Sequence, residues 1–367
     1  MRILLTSPFA HPYVRRGVER YVGELADWLA GQGHEVVLLT TAPDRSRSES
    51  RPSGALTVFV RSGASVGRGR LRVDELIRTT APILRGLLRL GSFDRVEAHH
   101  YPDATALRST ALPRRGGYDF WLPGVPRRTS FLGRPLHRAE FGWAVGGARR
   151  LLALSEHAAA ALHAEFGHQA VVLPPGVDTS RYDGPRPSDP DQQLIFCPAA
   201  PDDPRKRVEV LVRALPLVKK RRPHATLLLA PPTEASVVGL LASLDDDLRA
   251  YIKVRVPDSS EELAALYRRA QVTVLPSLDE AFGLVLVESL AAGTPVVGTN
   301  SGGIPEIISD PAIGRLAAAD DPEDLADAIT ACLDLGSDTD LSERCRRFAR
   351  RWDWDQVGPR WLELDQP

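Results

Sequence analysis

Short apolar runs alternate with helical periods along the first half of the chain. Arg2–Ser7 reads as a buried strand. Val18, Tyr21, Val22, Leu25, Trp28 and Leu29 then recur at three- and four-residue spacing, one apolar face of a helix. Gly31 and Gly33 stop that helix, and Glu35–Thr41 opens the next strand. Leu56–Arg61, Arg95–His100, Leu151–Ser155 and Ala170–Leu173 are further strand candidates. Apolar strands separated by helical segments predict a parallel sheet covered on both faces.

The pattern breaks at Asp183–Asp191, rich in Pro, Asp, Gly and Ser, and then restarts. Leu194–Cys197, Ala225–Ala230, Tyr251–Val256, Val272–Leu275 and Pro295–Gly298 read as strands. Val208–Val218, Glu261–Arg269, Leu284–Ala292 and Pro322–Leu335 read as helices, the last with Asp321 as its cap and Pro322 in its first turn. The expectation is an α/β chain of two Rossmann-like domains. They are 1–183 and 194–346, with a linker at 184–193 and a tail from about 347 to 367. Phe348, Trp352, Trp354, Val357 and Trp361 of that tail are too apolar to stay in water, so the tail is expected to dock back. Open parallel sheets bind ligands at the carboxyl ends of their strands, which predicts a central cleft faced by both domains.

Composition changes this picture little. With 367 residues the chain is long enough for two cores. Charged residues make up 25%, and the formal net charge of −1 gives nucleic acid no global attraction. Cys197, Cys332 and Cys345 lack metal-ligand spacing and read as reduced thiols of a cytoplasmic protein. No apolar run is long enough to span a bilayer, and the first residues read as a strand rather than a signal peptide.

The segment from Pro276 to Ile308 carries the chemistry. After the strand ending at Leu275, a polar loop containing Glu280 leads into a helix near Gly283. The amides of Phe282, Gly283 and Leu284 at that helix start suit a diphosphate. Gly283 allows close approach of a ligand to the backbone. Carboxylates beside an anion site make sense as acceptors for sugar hydroxyls. Glu288, among Leu286, Val287, Leu290 and Ala291, is placed poorly for a merely solvated role. A nucleotide sugar offers both phosphate and hydroxyls.

Glu280, seven residues, Glu288, then Ala-Gly-Thr-Pro-Val-Val and Gly302-Gly303-Ile304-Pro305-Glu306 resemble the signature of the large retaining GT-B glycosyltransferase family. Gly17-Val18-Glu19-Arg20 through Gly33-His34-Glu35-Val36 is similar to its N-terminal glycine loop, helix and second strand. Pro174–Asp178 looks like the turn closing its first domain. The resemblance implies a GT-B fold with a C-terminal helix crossing back to the N-terminal domain. It implies that Glu280 meets the donor sugar hydroxyls and Glu288 the ribose. Phe282, Gly283, Leu284 and Val285 would complete the donor site, with Gly17 near the leaving group. Lys206 would sit on the diphosphate without any metal or other cofactor, with Arg205 replacing a family arginine whose place here is Pro198-Ala199-Ala200-Pro201.

The family's loop histidine is missing from Tyr118–Gly124, the region that corresponds to it. His99, His100 or Asp119 could stand in, with Asp103 close by. Strand alternation lets at most one of the two histidines reach a substrate. The activity so implied is retaining transfer from a UDP- or GDP-linked sugar to a hydroxyl or amine. The acceptor would be a small molecule, natural product or glycolipid. A sugar-nucleotide epimerase and a catalytically degenerate donor-binding subunit are the alternatives. Arginines between 114 and 138, with Phe120, Trp121, Phe131 and Trp143, offer a surface for peripheral membrane contact. A solvated basic face is the other reading. Oligomeric state, nucleotide and sugar stay open.

Overall fold

The computed structural model describes residues 1–9, 17–44, 46–61, 72–110, 117–186, 193–335 and 340–364, without the side chains of 72–78. The chain divides into two compact units, Met1–Gly176 with Arg360–Pro367, and Val177–Pro359. Each is an α/β unit built on a parallel sheet.

The first sheet contains β1 (Arg2–Thr6), β2 (Glu35–Ala42), β3 (Arg47–Ser50), β4 (Leu56–Arg61), β5 (Arg95–Ala98), β6 (Tyr118–Leu122), β7 (Ala148–Ala153) and β8 (Val171–Val172). Its order is β3-β4-β2-β1-β5-β6-β7-β8, with only β3 antiparallel to its neighbour. Ile3, Leu4 and Leu5 are fully buried, as an interior parallel strand requires. The helix Gly17–Gly31 turns Tyr21, Val22, Leu25 and Leu29 inward, and Gly33 at φ 83° ends it.

Three expectations change here. β5 stops at Ala98, so His99 and His100 follow the strand rather than end it. Tyr118–Leu122 is a buried strand, not a loop. The unit's interior is also not purely apolar. Asp119 is fully buried and accepts from Arg149 (Nε 3.1 Å, Nη2 3.0 Å) and Arg150 (Nε 3.1 Å, Nη2 2.8 Å), with Arg95 Nη2 at 3.3 Å. A carboxylate held by three guanidiniums is structural, so Asp119 does not replace the missing loop histidine. Arg95 also donates to Glu97 and to the Trp361 carbonyl, and its guanidinium lies 3.5 Å from the Trp361 ring centre. The tail thereby covers a guanidinium already paired with Glu97 and Asp119 and adds a carbonyl acceptor and a ring face to it.

The second sheet contains β9 (Leu194–Cys197), β10 (Thr226–Leu229), β11 (Ile252–Val254), β12 (Val272–Leu275), β13 (Val296–Thr299) and β14 (Gly314–Ala317), in the order β11-β10-β9-β12-β13-β14 and parallel throughout. The helix Pro322–Asp334 starts as its Asp-Pro pair predicts, with Asp321 Oδ1 accepting from the amides of Glu323 and Asp324 at 3.0 Å. The segment expected to be a linker begins as anchored chain. Arg186 donates to the carbonyls of Gly293 (3.0 Å) and Ala270 (2.5 Å); residues 187–192 lie outside the described residues. Trp352, Trp354 and Trp361 are all buried. Cys197, Cys332 and Cys345 are buried free thiols. Among the described residues no helix is long and apolar enough to cross a membrane.

Candidate active site

In the second unit the chain runs from β9 outward through β10 to β11, then returns to place β12 on the other side of β9. A reversal of this kind leaves a crevice outside the carboxyl ends of the two central strands. The loops that follow β9 and β12 carry Lys206 and Glu280.

The β9 loop ends in a tight turn, Pro204–Lys206, capped by Asp203, whose Oδ1 accepts the Arg205 amide at 3.0 Å. Arg207 follows at φ 48° and breaks the turn before the helix Val208–Arg221. The turn presents Lys206 to Glu280, with Nζ to Oε2 at 2.5 Å. Arg205 instead chelates Asp203, with Nη2 to Oδ2 at 2.7 Å and Nε to Oδ1 at 3.2 Å, and its side chain is 60% exposed. Its carbonyl accepts the Leu278 amide at 2.7 Å, which ties the two loops together. Burial by itself would raise the Glu280 pKa. The Lys206 charge and hydrogen bond, with Arg205, outweigh that and hold the carboxyl below its ordinary value.

The Glu280 backbone is clamped from below by the loop after β13. The Gly303 amide donates to the Glu280 carbonyl at 2.7 Å, and the Asp279 amide donates to Ser301 Oγ at 3.0 Å. Gly302 has φ +65°, and a Cβ there would collide with the backbone N and O of Glu280. Close chain packing under Glu280 thus accounts for the glycine at 302. Asp279 itself takes φ 51° to turn the loop.

Gly283, at φ 107°, caps the helix Leu284–Ala291. The first amides of a helix lack acceptors within it, so the chain at 282–285 is suited to an anion. Phe282 is buried edge-on against Trp352, while Leu284 and Val285 are half-buried. Glu288 lies in the second turn, is 2% exposed and accepts from Tyr267 Oη at 2.7 Å. Sequence reading missed Tyr267 because it lies on the apolar face of the helix Ser260–Arg269, where a phenol and a core aromatic look alike.

The first unit holds the remaining expected residues. Gly17 is the first residue of its helix, and the loop before it (10–16) lies outside the described residues. His99 is fully buried. Its Nδ1 lies 3.1 Å from the Thr6 carbonyl, and its ring stacks on Trp121 at 5.9 Å and 12°. Burial pushes its pKa down to about 3, against a slight lift from the Thr6 hydrogen bond, so the ring stays neutral. The expectation of a substrate-facing His99 is therefore replaced by a core role. His100 is half-buried and caps the helix Tyr101–Arg108 reciprocally with Asp103. Asp103 is buried and accepts from the amides of His99 and His100 and from Thr6 Oγ1. It builds the turn. Of the basic region, 114 and 115 lie outside the described residues, and Arg127 and Arg128 are engaged with Glu165. Among the described residues no group of three or more His, Cys, Asp or Glu could hold a metal ion.

Comparison with known proteins gives this geometry a family. Residues 191–334 match the family model for glycosyl transferases group 1, and residues 15–181 match the model for glycosyltransferase family 4. The chain is 29% identical to a glycogen synthase of Mycobacterium tuberculosis over 97% of its own length and 92% of the relative's. It is 30% identical to a phosphatidyl-myo-inositol mannosyltransferase of Mycolicibacterium smegmatis, over 97% and 91%. The crystal structure of Anabaena HepE in complex with UDP-glucose superposes with a TM-score of 0.76 at 17% identity, covering 99% of both chains. With both units matched and relatives aligned almost end to end, the chain belongs to the group 1 and family 4 glycosyltransferases and has the GT-B fold.

Proposed function

We propose that the chain transfers a sugar from a nucleoside diphosphate sugar to a hydroxyl or amine, with retention of anomeric configuration. The Lys206–Glu280 pair at the carboxyl ends of β9 and β12 carries this reading. In the resting pair each charge satisfies the other. A donor diphosphate takes over Lys206, and Glu280 is then available to accept hydrogen bonds from the sugar hydroxyls. Glu288, oriented by Tyr267, is the acceptor assigned to the ribose.

When the bond from the anomeric carbon to the phosphate oxygen breaks, negative charge develops on the diphosphate. Lys206 and the amides at the start of Leu284–Ala291 stabilise that charge. The acceptor attacks from the same face and gives its proton to the departing phosphate oxygen, so no enzymic nucleophile takes part. In this reading a side-chain cation does what a metal ion does elsewhere. UDP-glucose, held by HepE, is the first donor to test, and GDP-linked sugars are the second.

A glycolipid acceptor fits the outer surface of the helix Pro135–Gly147. Leu132, Leu136 and Trp143 are 75%, 50% and 50% exposed there, next to exposed Arg134 and Arg138. Apolar side chains flanked by arginines suit an anionic lipid surface. The test of the transferase reading is NMR of the product formed from an α-linked donor in the presence of EDTA. An α-linked product at an undiminished rate supports it. A β-linked product, or loss of turnover with the chelator, overturns the retaining or the metal-independent part respectively.

A further inference from the structure

Among the described residues, three that carry a side chain take a left-handed backbone: Arg207 at φ 48°, Asp279 at φ 51° and Asp320 at φ 60°. All three lie in loops that leave the carboxyl ends of the second sheet, after β9, β12 and β14. Arg207 follows Lys206 and Asp279 precedes Glu280, so each member of the donor ion pair stands next to a strained residue. In this conformation a Cβ crowds the following carbonyl oxygen. Aspartate tolerates it better than most residues, because its short side chain bonds locally; arginine has no such relief, and glycine avoids the strain altogether.

Arg207 and Asp320 meet. Arg207 Nε lies 2.9 Å from Asp320 Oδ1 and Nη2 donates to Oδ2 at 3.0 Å, so the guanidinium forks across the carboxylate. Nη1 donates to Glu209 Oε1 at 3.3 Å. Arg207 leads directly into the helix Val208–Arg221, and Asp320 stands just before the helix Pro322–Asp334. Those two helices pack side by side. The fork therefore ties the turn that presents Lys206 to the start of a second helix. The other anchors of that turn are the Lys206 amide, which donates to the Asp203 carbonyl at 2.9 Å, and the Arg205 carbonyl, which accepts the Leu278 amide at 2.7 Å.

The side chains of Arg207 and Asp320 are 33% and 47% exposed, and an ion pair open to water adds little stability. It does not offset two left-handed residues where glycine would be free of strain. What the fork fixes is position. We infer that Arg207 and Asp320 are positioning residues, a latch on the turn after β9 that keeps Lys206 aimed at the donor diphosphate. The inference rests on the transferase reading and deepens it by adding two residues that act through Lys206.

Kinetics and melts of glycine variants test it, because glycine relieves the backbone while removing one side of the fork. Arg207→Gly and Asp320→Gly should melt at or above the wild-type temperature. Each should nevertheless lower kcat by about tenfold, a part of the roughly hundredfold loss expected for Lys206 itself, with donor KM changed less than kcat. The double glycine variant should be no worse than either single one, as for two halves of one contact. In a Lys206→Met background, Arg207→Gly should change kcat by less than about twofold, because its effect passes through that lysine. The sign of the Asp320 effect separates a latch from a field. If the Arg207 charge acted on the diphosphate directly, Asp320→Gly would free it and raise kcat. Asp320→Asn, which keeps a side chain suited to the left-handed turn, serves if a glycine variant does not fold. Amide exchange gives a readout that needs no turnover: the Leu278 amide should exchange faster in both glycine variants. Unchanged kcat in Arg207→Gly, a rise in Asp320→Gly, full additivity with Lys206→Met, or a melting temperature that falls in step with kcat overturns the inference. Unchanged Leu278 exchange overturns the latch and leaves the transferase reading standing. Faster exchange in a chain that turns over no nucleotide sugar keeps the latch and sinks the transferase reading.

Discussion

Lys206 Nζ lies 2.5 Å from Glu280 Oε2, joining the loops after β9 and β12 through one ion pair in which the two side chains are 22% and 16% exposed. The pair is short and largely shielded, yet still open on one side. Lys206→Met should leave the fold intact and lower kcat by about a hundredfold or more, the usual loss of one group that stabilises a developing anion. Glu280→Gln should lower kcat and weaken discrimination between sugars. Steady-state kinetics with each donor checks both. Equal kcat in Lys206→Met and wild type would remove Lys206 from the leaving-group site.

Gly302→Ala should damage the same site from beneath. Its φ of +65° disfavours any L side chain, and a Cβ would strike the Glu280 backbone. The expected result is a loss of about 1–3 kcal/mol in stability, with weaker donor binding even at temperatures where the variant is folded. Denaturant titration and donor calorimetry on the same sample measure the two effects.

Tyr267→Phe removes the hydroxyl that donates to Glu288 at 2.7 Å. A buried carboxylate that loses such a partner costs about 1–3 kcal/mol. Stability should fall by that amount, and the donor KM should rise because Glu288 is no longer oriented. Thermal melts and KM values for Tyr267→Phe test this. Unchanged values of both would show that Glu288 needs no help from Tyr267.

His99 sets a pH signature. Burial lowers its pKa from 6.5 to about 3 in the folded chain, while the unfolded chain takes up its proton near 6.5. At His99 the unfolded state therefore binds the extra proton between those values, so this group's share of stability falls as the pH is lowered, while Glu97 and Asp103, raised to about 7 by burial, act in the opposite direction. The His99 contribution is complete above pH 6.5 and is lost as the pH falls towards 3. The His99 Cε1 resonance should stay fixed between about pH 8 and pH 5 while unperturbed imidazoles move. A midpoint near the ordinary value would contradict the buried, neutral ring.

The donor loop was legible because its signals are local. Glu280, Gly283 and Glu288 lie on one loop and the helix it starts, so spacing alone places them. Asp321 and Pro322 announced their helix start in the same way. The first unit was harder to read, because its decisive contacts join distant segments. Asp119 looked like a loop acid because Arg149, Arg150 and Arg95 come from other strands. His99 and His100 are adjacent in sequence, yet one is sealed against Trp121 and the other caps a helix with Asp103. Tyr267 failed to signal because it is a polar group hidden among core aromatics.

The most direct test of the donor site is calorimetry of the full chain with UDP-glucose, GDP-mannose and related nucleotide sugars, paired with turnover of Glu280→Ala. The account predicts saturable binding of at least one activated sugar by the wild type, and turnover in Glu280→Ala reduced by about two orders of magnitude or more. Failure of every nucleotide sugar to bind, or unchanged turnover in Glu280→Ala, would contradict it.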